Sequence, residues 1–200
     1  MWRELKQLWT SDNLLNEAWD LTYEAIKIDA EMFNDAVEAL WGENKIATQK
    51  LIFKKDKLIN KYERDIRRKV ITHLSVQGSE NLAAGLVLST VIVDVERIGD
   101  YIKNMVDLTE MHPQKLTSDK NEVVLHEIEN TLKKMFKSTP ECIENGDETL
   151  ALEIYSGTRE IGLTCDKHIK EILSKNDPDL DTSSAALLAL YFRYLKRINA

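Results

Sequence analysis

The chain has 200 residues, of which 43% are hydrophobic and 30% charged, and its formal net charge is −7. This length and composition are typical of a folded protein with a sizeable core rather than of a disordered chain. Seven glycines and three prolines are too few for the closely spaced turns of an all-β protein, and no GxGxxG or GxxxxGK[ST] loop is present. The excess of negative charge repels phosphate backbones, so we expect no nucleic-acid partner.

Cysteine usage and hydropathy indicate a cytoplasmic location. Cys142 and Cys165 form no CxxC motif, and a reducing compartment is the simplest interpretation. The longest apolar run, residues 86–93, is far shorter than the ~18 residues that span a bilayer. The N-terminus carries early charges and lacks the apolar segment of a secretory signal.

Six long helices are predicted in chain order. The first three run from a cap at Ser11 or Asp12 to about residue 40, from 46 to 74, and from about 80 to 111, where Pro113 forbids further helix. Apolar residues recur every seven positions along the first two helices, as in packed helices. The third is apolar on nearly every face over residues 82–95, which places it in the middle of a bundle.

The same order recurs in the second half. Helices are predicted from residue 119 to Pro140 or slightly beyond, from 148 to 173, and from Asp181 or Thr182 to the end. Short connections make neighbouring helices antiparallel, and the fold class is all-α, a six-helix bundle. We divide this single domain at the break around Pro113 into three-helix repeats, residues 1–112 and 113–200.

A cluster of acidic residues follows the apolar half of the third helix. Glu96 and Asp100 lie four residues apart and therefore project from one helical face. Two like charges at this spacing need compensation by a cation or an arginine. Gly99, inside the helix, indicates the close approach of another helix or of a ligand.

Further carboxylates interrupt the apolar stripes of the first two helices. Asp29 lies beside the first stripe, and Asp56 and Glu63 lie on the second. Carboxylates from neighbouring bundle helices hold hard cations, and a metal site at Asp56, Glu63, Glu96 and Asp100 is one hypothesis. The alternative is structural: the acids at 29, 56 and 63 form ion pairs with Arg64, Arg67 and Arg68 or with lysines, and Arg97 pairs with Asp94 or with a carboxylate of a neighbouring helix.

The sequence gives weaker support to other kinds of site. No histidine follows a glutamate by three residues, as a di-iron carboxylate enzyme requires, and neither cysteine lies in a recognisable nucleophile motif. Glu122 and His126 form a pair that can chelate a surface metal. Basic residues on the second helix form an outer face that is either simply solvated or suited to an acidic partner. The amphipathic turn at Trp2–Trp9 packs in the core or, alternatively, associates peripherally with a membrane.

The stretch Val95–Tyr101, which reads VERIGDY and is followed by Asn104, resembles the signature of the PhoU family of phosphate-uptake regulators. The resemblance implies two three-helix repeats with the signature on the third helix of each. It implies a non-enzymatic negative regulator of phosphate homeostasis, working as an adaptor between a membrane phosphate transporter and a sensor histidine kinase. It also implies metal binding, of iron, zinc, manganese or magnesium, at Glu96 and Asp100. The family's second-helix aspartate maps onto Asp56 and, in the second repeat, onto Asp166.

The second repeat departs from this signature. Lys196 stands in place of the glutamate and Ala200 in place of the aspartate, so we expect any metal in the first half alone. A lysine there can itself neutralise carboxylates. Two other functions remain open: a metal-dependent bundle enzyme acting on phosphate compounds, and a purely structural regulatory module of another transporter. A homodimer is compatible with all three.

Overall fold

The computed structural model describes residues 14–42, 45–77, 81–111, 119–174 and 180–200, with backbone alone at 45, 46 and 119. Several sequence features lie outside these ranges. They are the predicted caps Ser11 and Asp12, the turn at Trp2–Trp9, the start of the third helix near residue 80, and the break around Pro113.

The described residues form six α-helices, as predicted. The helices are α1 Leu14–Trp41, α2 Lys45–Gln77, α3 Leu82–Met111, α4 Asp119–Asn145, α5 Glu148–Leu173 and α6 Thr182–Asn199. None of these helices is long and apolar enough to cross a bilayer. The predicted all-α fold is therefore confirmed over the described residues.

Local sequence explains the helix boundaries in the second half. The carboxylates of Asp147 and Asp181 accept hydrogen bonds from the backbone N–H groups of the first turns of α5 and α6, which are otherwise unpaired. Helix α4 continues five residues past Pro140 and ends at Asn145. The next residue, Gly146, has a φ of 67°, the left-handed conformation that glycine adopts without strain. The Gly146 N–H donates to the Cys142 carbonyl at 2.9 Å.

Two apolar clusters stabilise the bundle. The larger draws side chains from all six helices, including Phe33 of α1 and Phe192 of α6, both fully buried. The smaller contains Leu15 of α1, Ile66 of α2 and Leu88 of α3, and its buried members come from these three helices.

The position of α3 corrects one prediction. Its second half packs into the large cluster through Ile102 and Met105, whereas its first half contacts α1 and α2 in the smaller one. Leu82 and Leu86 consequently remain exposed. The prediction that residues 82–95 lie in the middle of the bundle was wrong, because the outward side of this half carries no covering helix among the described residues.

Candidate acidic site between the first three helices

Asp29 is the innermost residue of the candidate site. Its side chain is 1% exposed, and neither carboxylate oxygen has a hydrogen-bond partner among the described residues. Burial raises the pKa of Asp29 well above its ordinary value, and the nearby carboxylates of Asp56 and Glu96 raise it further. Asp29 is therefore a buried acid that keeps its proton to a higher pH than an exposed aspartate does.

Gly99 of α3 explains how Asp29 comes to face the acidic signature. A Cβ atom at position 99 would lie 3.1 Å from Oδ1 of Asp29 and 3.3 Å from Cδ1 of Ile59. The missing side chain thus lets α1 and α2 approach α3 closely. The close approach predicted from a glycine inside a helix is confirmed, and another helix makes it.

A lysine lies at the centre of the predicted carboxylates. Lys103 Nζ donates to Oδ1 of Asp100 at 2.5 Å and to Oδ1 of Asp56 at 3.2 Å, and so joins α2 to α3. Burial lowers the pKa of Lys103, but its bonds to Asp100 and Asp56 outweigh this effect and raise the pKa overall. The ammonium is therefore charged and offsets one of the two negative charges of the acidic pair.

Glu96 and Glu63 are the other two predicted carboxylates of the site, and neither accepts a hydrogen bond from Lys103. Burial raises the pKa of Glu96, and the carboxylates of Asp100, Glu63 and Asp56 add to the shift, against a smaller opposing effect of Lys103. Glu63 instead accepts a hydrogen bond from Arg67 on its own helix at 2.8 Å. The structural alternative predicted that these acids form ion pairs. Glu63 and Asp56 do so, but Asp29 does not.

The positions of these carboxylates show whether they could bind a metal ion together. Their oxygens are suitable ligands for a hard cation. However, the Lys103 ammonium lies where such an ion would bridge Asp56 and Asp100. Among the described residues, no three or more His, Cys, Asp or Glu side chains are placed so that they could hold a metal. As arranged, the site does not fit a metal, and the ligand set Asp56, Glu63, Glu96 and Asp100 stays a prediction.

The second half contains the same type of contact between its second and third helices, but its lysine stands at a different position of the signature. Lys196 of α6 binds both carboxylate oxygens of Asp166 on α5, at 2.6 and 2.5 Å. Lys196 is the residue that stands where the signature has glutamate. Each half therefore pairs the aspartate of its second helix with an ammonium from its third.

Sequence reasoning missed a second buried carboxylate. Glu129 of α4 is 2% exposed and accepts hydrogen bonds from Trp41 Nε1 at 2.9 Å and from the Tyr191 hydroxyl. Its other oxygen lies 2.9 Å from Nδ1 of His126. Glu129 therefore joins α1, α4 and α6. The sequence contained one indication that Glu129 is buried: it follows Leu125 by four residues and therefore lies on the same face of the helix.

The contacts of His126 also concern the predicted surface metal site of Glu122 and His126. His126 Nε2 lies 3.8 Å from Glu122, while the other ring nitrogen contacts Glu129 and the ring lies against Trp41, with 4.5 Å between ring centroids. The histidine therefore belongs mainly to the buried Glu129 network rather than to a chelating pair.

Comparison with known proteins bears on family and fold. Residues 22–109, which run from within α1 nearly to the end of α3 and include the whole acidic site, match the PhoU domain family. The fold is similar to the crystal structure of PhoU from Pseudomonas aeruginosa, with a TM-score of 0.82, 20% sequence identity, and coverage of 93% of this chain and 90% of that one. A comparison with curated protein sequences gave no match. The resemblance that the VERIGDY stretch predicts is confirmed for this part of the chain: residues 22–109 match the PhoU domain family, and the fold is that of a PhoU helical bundle.

Proposed function

We propose that this protein is a non-enzymatic regulator that restrains phosphate uptake from the cytoplasmic side, by binding a membrane phosphate transporter, a sensor histidine kinase or both. The observation that carries the proposal is the match of residues 22–109 to the PhoU domain family. PhoU domains define a family of phosphate-uptake regulators rather than of enzymes. The helical bundle, similar to a solved PhoU structure along most of its length, supports the same assignment.

The chemistry of the acidic site supports regulation more than catalysis. Its most buried carboxylate, Asp29, faces Gly99 of a neighbouring helix, and the more accessible Asp100 is bound to Lys103. A general base needs room for a substrate proton within hydrogen-bond reach. Lys103 instead uses Asp56 and Asp100 to join α2 to α3, and Asp29 has Gly99 rather than open space in front of it.

The proposal is tested by deleting the gene in its native host and restoring it on a plasmid. We expect the deletion to raise phosphate uptake and the expression of phosphate-responsive genes in phosphate-rich medium, and the wild-type copy to reverse both. Affinity purification of the restored protein is expected to recover a phosphate transporter subunit or a histidine kinase.

Two outcomes would contradict the proposal. Unchanged phosphate uptake and gene expression in the deletion strain would remove the regulatory role. Recovery of a transporter for a different solute, with altered uptake of that solute, would favour the alternative of a regulatory module for another transporter. A control is the variant Asp20→Asn, which removes an exposed carboxylate of α1 away from the acidic site and is expected to restore regulation fully.

A further inference from the structure

Helix α2 has a charge opposite to that of the rest of the protein. It contains ten Lys and Arg residues against three Asp and Glu, a net charge of +7 in a chain whose total is −7. Its buried face, with Ile52, Ile59 and Ile66, packs on α1 and α3. The opposite face therefore points away from the bundle.

Six cations follow one line along that outer face. Their positions alternate by four and three residues, the spacing that keeps side chains on a single side of a helix. All six are exposed, and we call them the basic ridge: Lys50, Lys54, Lys57, Lys61, Arg64 and Arg68. At 1.5 Å per residue the ridge is roughly 27 Å long.

The ridge cations differ from the other basic residues of α2 in their partners. Lys55 lies 2.9 Å from Asp35 and 3.0 Å from Glu31, and Lys69 bonds Glu17, so these lysines join α2 to α1. Within the described residues, the first five ridge cations have no carboxylate partner. The sixth, Arg68, lies 3.5 Å from Asp65. The ridge thus carries a row of uncompensated positive charge.

Exposed apolar side chains border the ridge on both sides. Helical geometry places Phe53 and Ile71 along one edge, and Leu51, Leu58 and Val76 along the other. A protein interface has the reverse order, with an apolar centre and a polar rim. A row of flexible cations without carboxylate partners instead matches an anionic lipid surface, where the cations meet headgroup phosphates and the apolar groups beside them lie against the headgroup layer.

We propose that the basic ridge of α2 binds the anionic headgroup surface of a membrane, with α2 lying in the plane of the surface. The bundle's negative charge would then face away from the lipid. This proposal is independent of the proposed function, because it concerns protein and lipid alone.

Vesicle co-sedimentation of the full chain tests it. Vesicles contain either phosphatidylcholine alone or phosphatidylcholine with about 30% phosphatidylglycerol, and binding is measured at low and at high salt. We expect binding to the anionic vesicles alone, with loss at high salt. Each neutralised cation should weaken binding roughly fivefold, so the variant K50Q/K54Q/K57Q/K61Q should lose more than about 100-fold.

The matched control removes the same charge elsewhere. The variant K134Q/K137Q/K167Q/K170Q neutralises four exposed lysines of α4 and α5, and it should bind anionic vesicles nearly as well as the wild type. Circular dichroism confirms that both variants are folded. Failure of the wild type to bind anionic vesicles, or equal losses in the two variants, would overturn the proposal. Binding of soluble poly-glutamate without binding of vesicles would also overturn it, and would assign the ridge to an acidic protein partner.

Discussion

At the scale of single residues, Asp29 is the most unusual group in the protein. A buried carboxylate ordinarily has a hydrogen bond or a cation beside it, because the ionised form is costly away from water. Asp29 has neither within the described residues and lies near two further carboxylates. The native state therefore binds a proton at Asp29 more tightly than the unfolded chain does.

This difference predicts a specific dependence of stability on pH. The unfolded aspartate releases its proton near pH 4, whereas the native one holds it to a higher pH, so Asp29 increasingly destabilises the fold as pH rises between the two pKa values. Asp29→Asn keeps the shape but cannot ionise. We expect the variant to become more stable than the wild type as pH increases from about 4 to about 8, measured as the unfolding free energy in urea.

The control for this experiment is Asp20→Asn, an exposed position on the same helix. Its unfolding free energy should differ from that of the wild type by an amount that changes little with pH. If the difference between Asp29→Asn and the wild type were constant across the same range, Asp29 would not carry the raised pKa that its burial indicates.

At the scale of helices, a lysine connects the second and third helix of each half. Lys103 joins Asp56 and Asp100 in a largely buried setting, with side-chain exposures of 22% for the lysine and 11% for Asp56. Lys196 and Asp166 are more open, at 29% and 54%. Solvent screens the second pair more strongly, so the two contacts should differ in strength.

Substitution of each lysine by methionine measures this difference. We expect Lys103→Met to cost about 1–2 kcal/mol of unfolding free energy, because it leaves an acidic cluster without its cation. Lys196→Met should cost less than about 1 kcal/mol. Equal losses in urea denaturation would show that burial does not distinguish the two contacts.

The same pair of variants tests the predicted metal site. If Asp56, Glu96 and Asp100 accept a cation once the ammonium is gone, added Mg²⁺ or Mn²⁺ should raise the Tm of Lys103→Met and leave the Tm of Lys196→Met unchanged. Metal retained by the wild type after dialysis against a chelator would instead contradict the arrangement in which Lys103 occupies the site.

At the scale of the whole molecule, the two halves share one apolar cluster. Phe33 in the first half and Phe192 in the second both belong to it, and Glu129 adds hydrogen bonds from Trp41 and Tyr191 across the same boundary. The chain also carries separate probes for each half. All four tryptophans precede residue 42, and both cysteines, which are buried and free, follow residue 140.

These probes test whether the halves unfold together. Tryptophan fluorescence and the reactivity of the cysteine thiols should give the same urea midpoint, and Phe192→Leu should shift both curves equally, by about 1–2 kcal/mol. Phe33→Leu is the reciprocal variant and should do the same. A shift of the thiol curve alone in Phe192→Leu would mean that the two halves are independent folding units.

The sequence by itself determined the six helices, most of their ends and the resemblance of the first half to the PhoU domain. Seven-residue apolar spacing, the aspartate caps of α5 and α6 and the glycine after α4 act over a few neighbouring residues, so the linear order of the chain contains them. The signature around Gly99 is equally local. Glu96 and Asp100 could be placed on one face for the same reason.

Only the tertiary structure decided which charges meet. Lys103 lies 47 residues from Asp56, and Tyr191 lies 62 residues from Glu129, so no spacing along one helix reveals either contact. The same reason explains why residues 82–95, apolar on nearly every side, are exposed at Leu82 and Leu86. Periodicity shows which face of a helix is apolar, but the partner that covers it, and the ammonium that neutralises a buried acid, come from elsewhere in the chain.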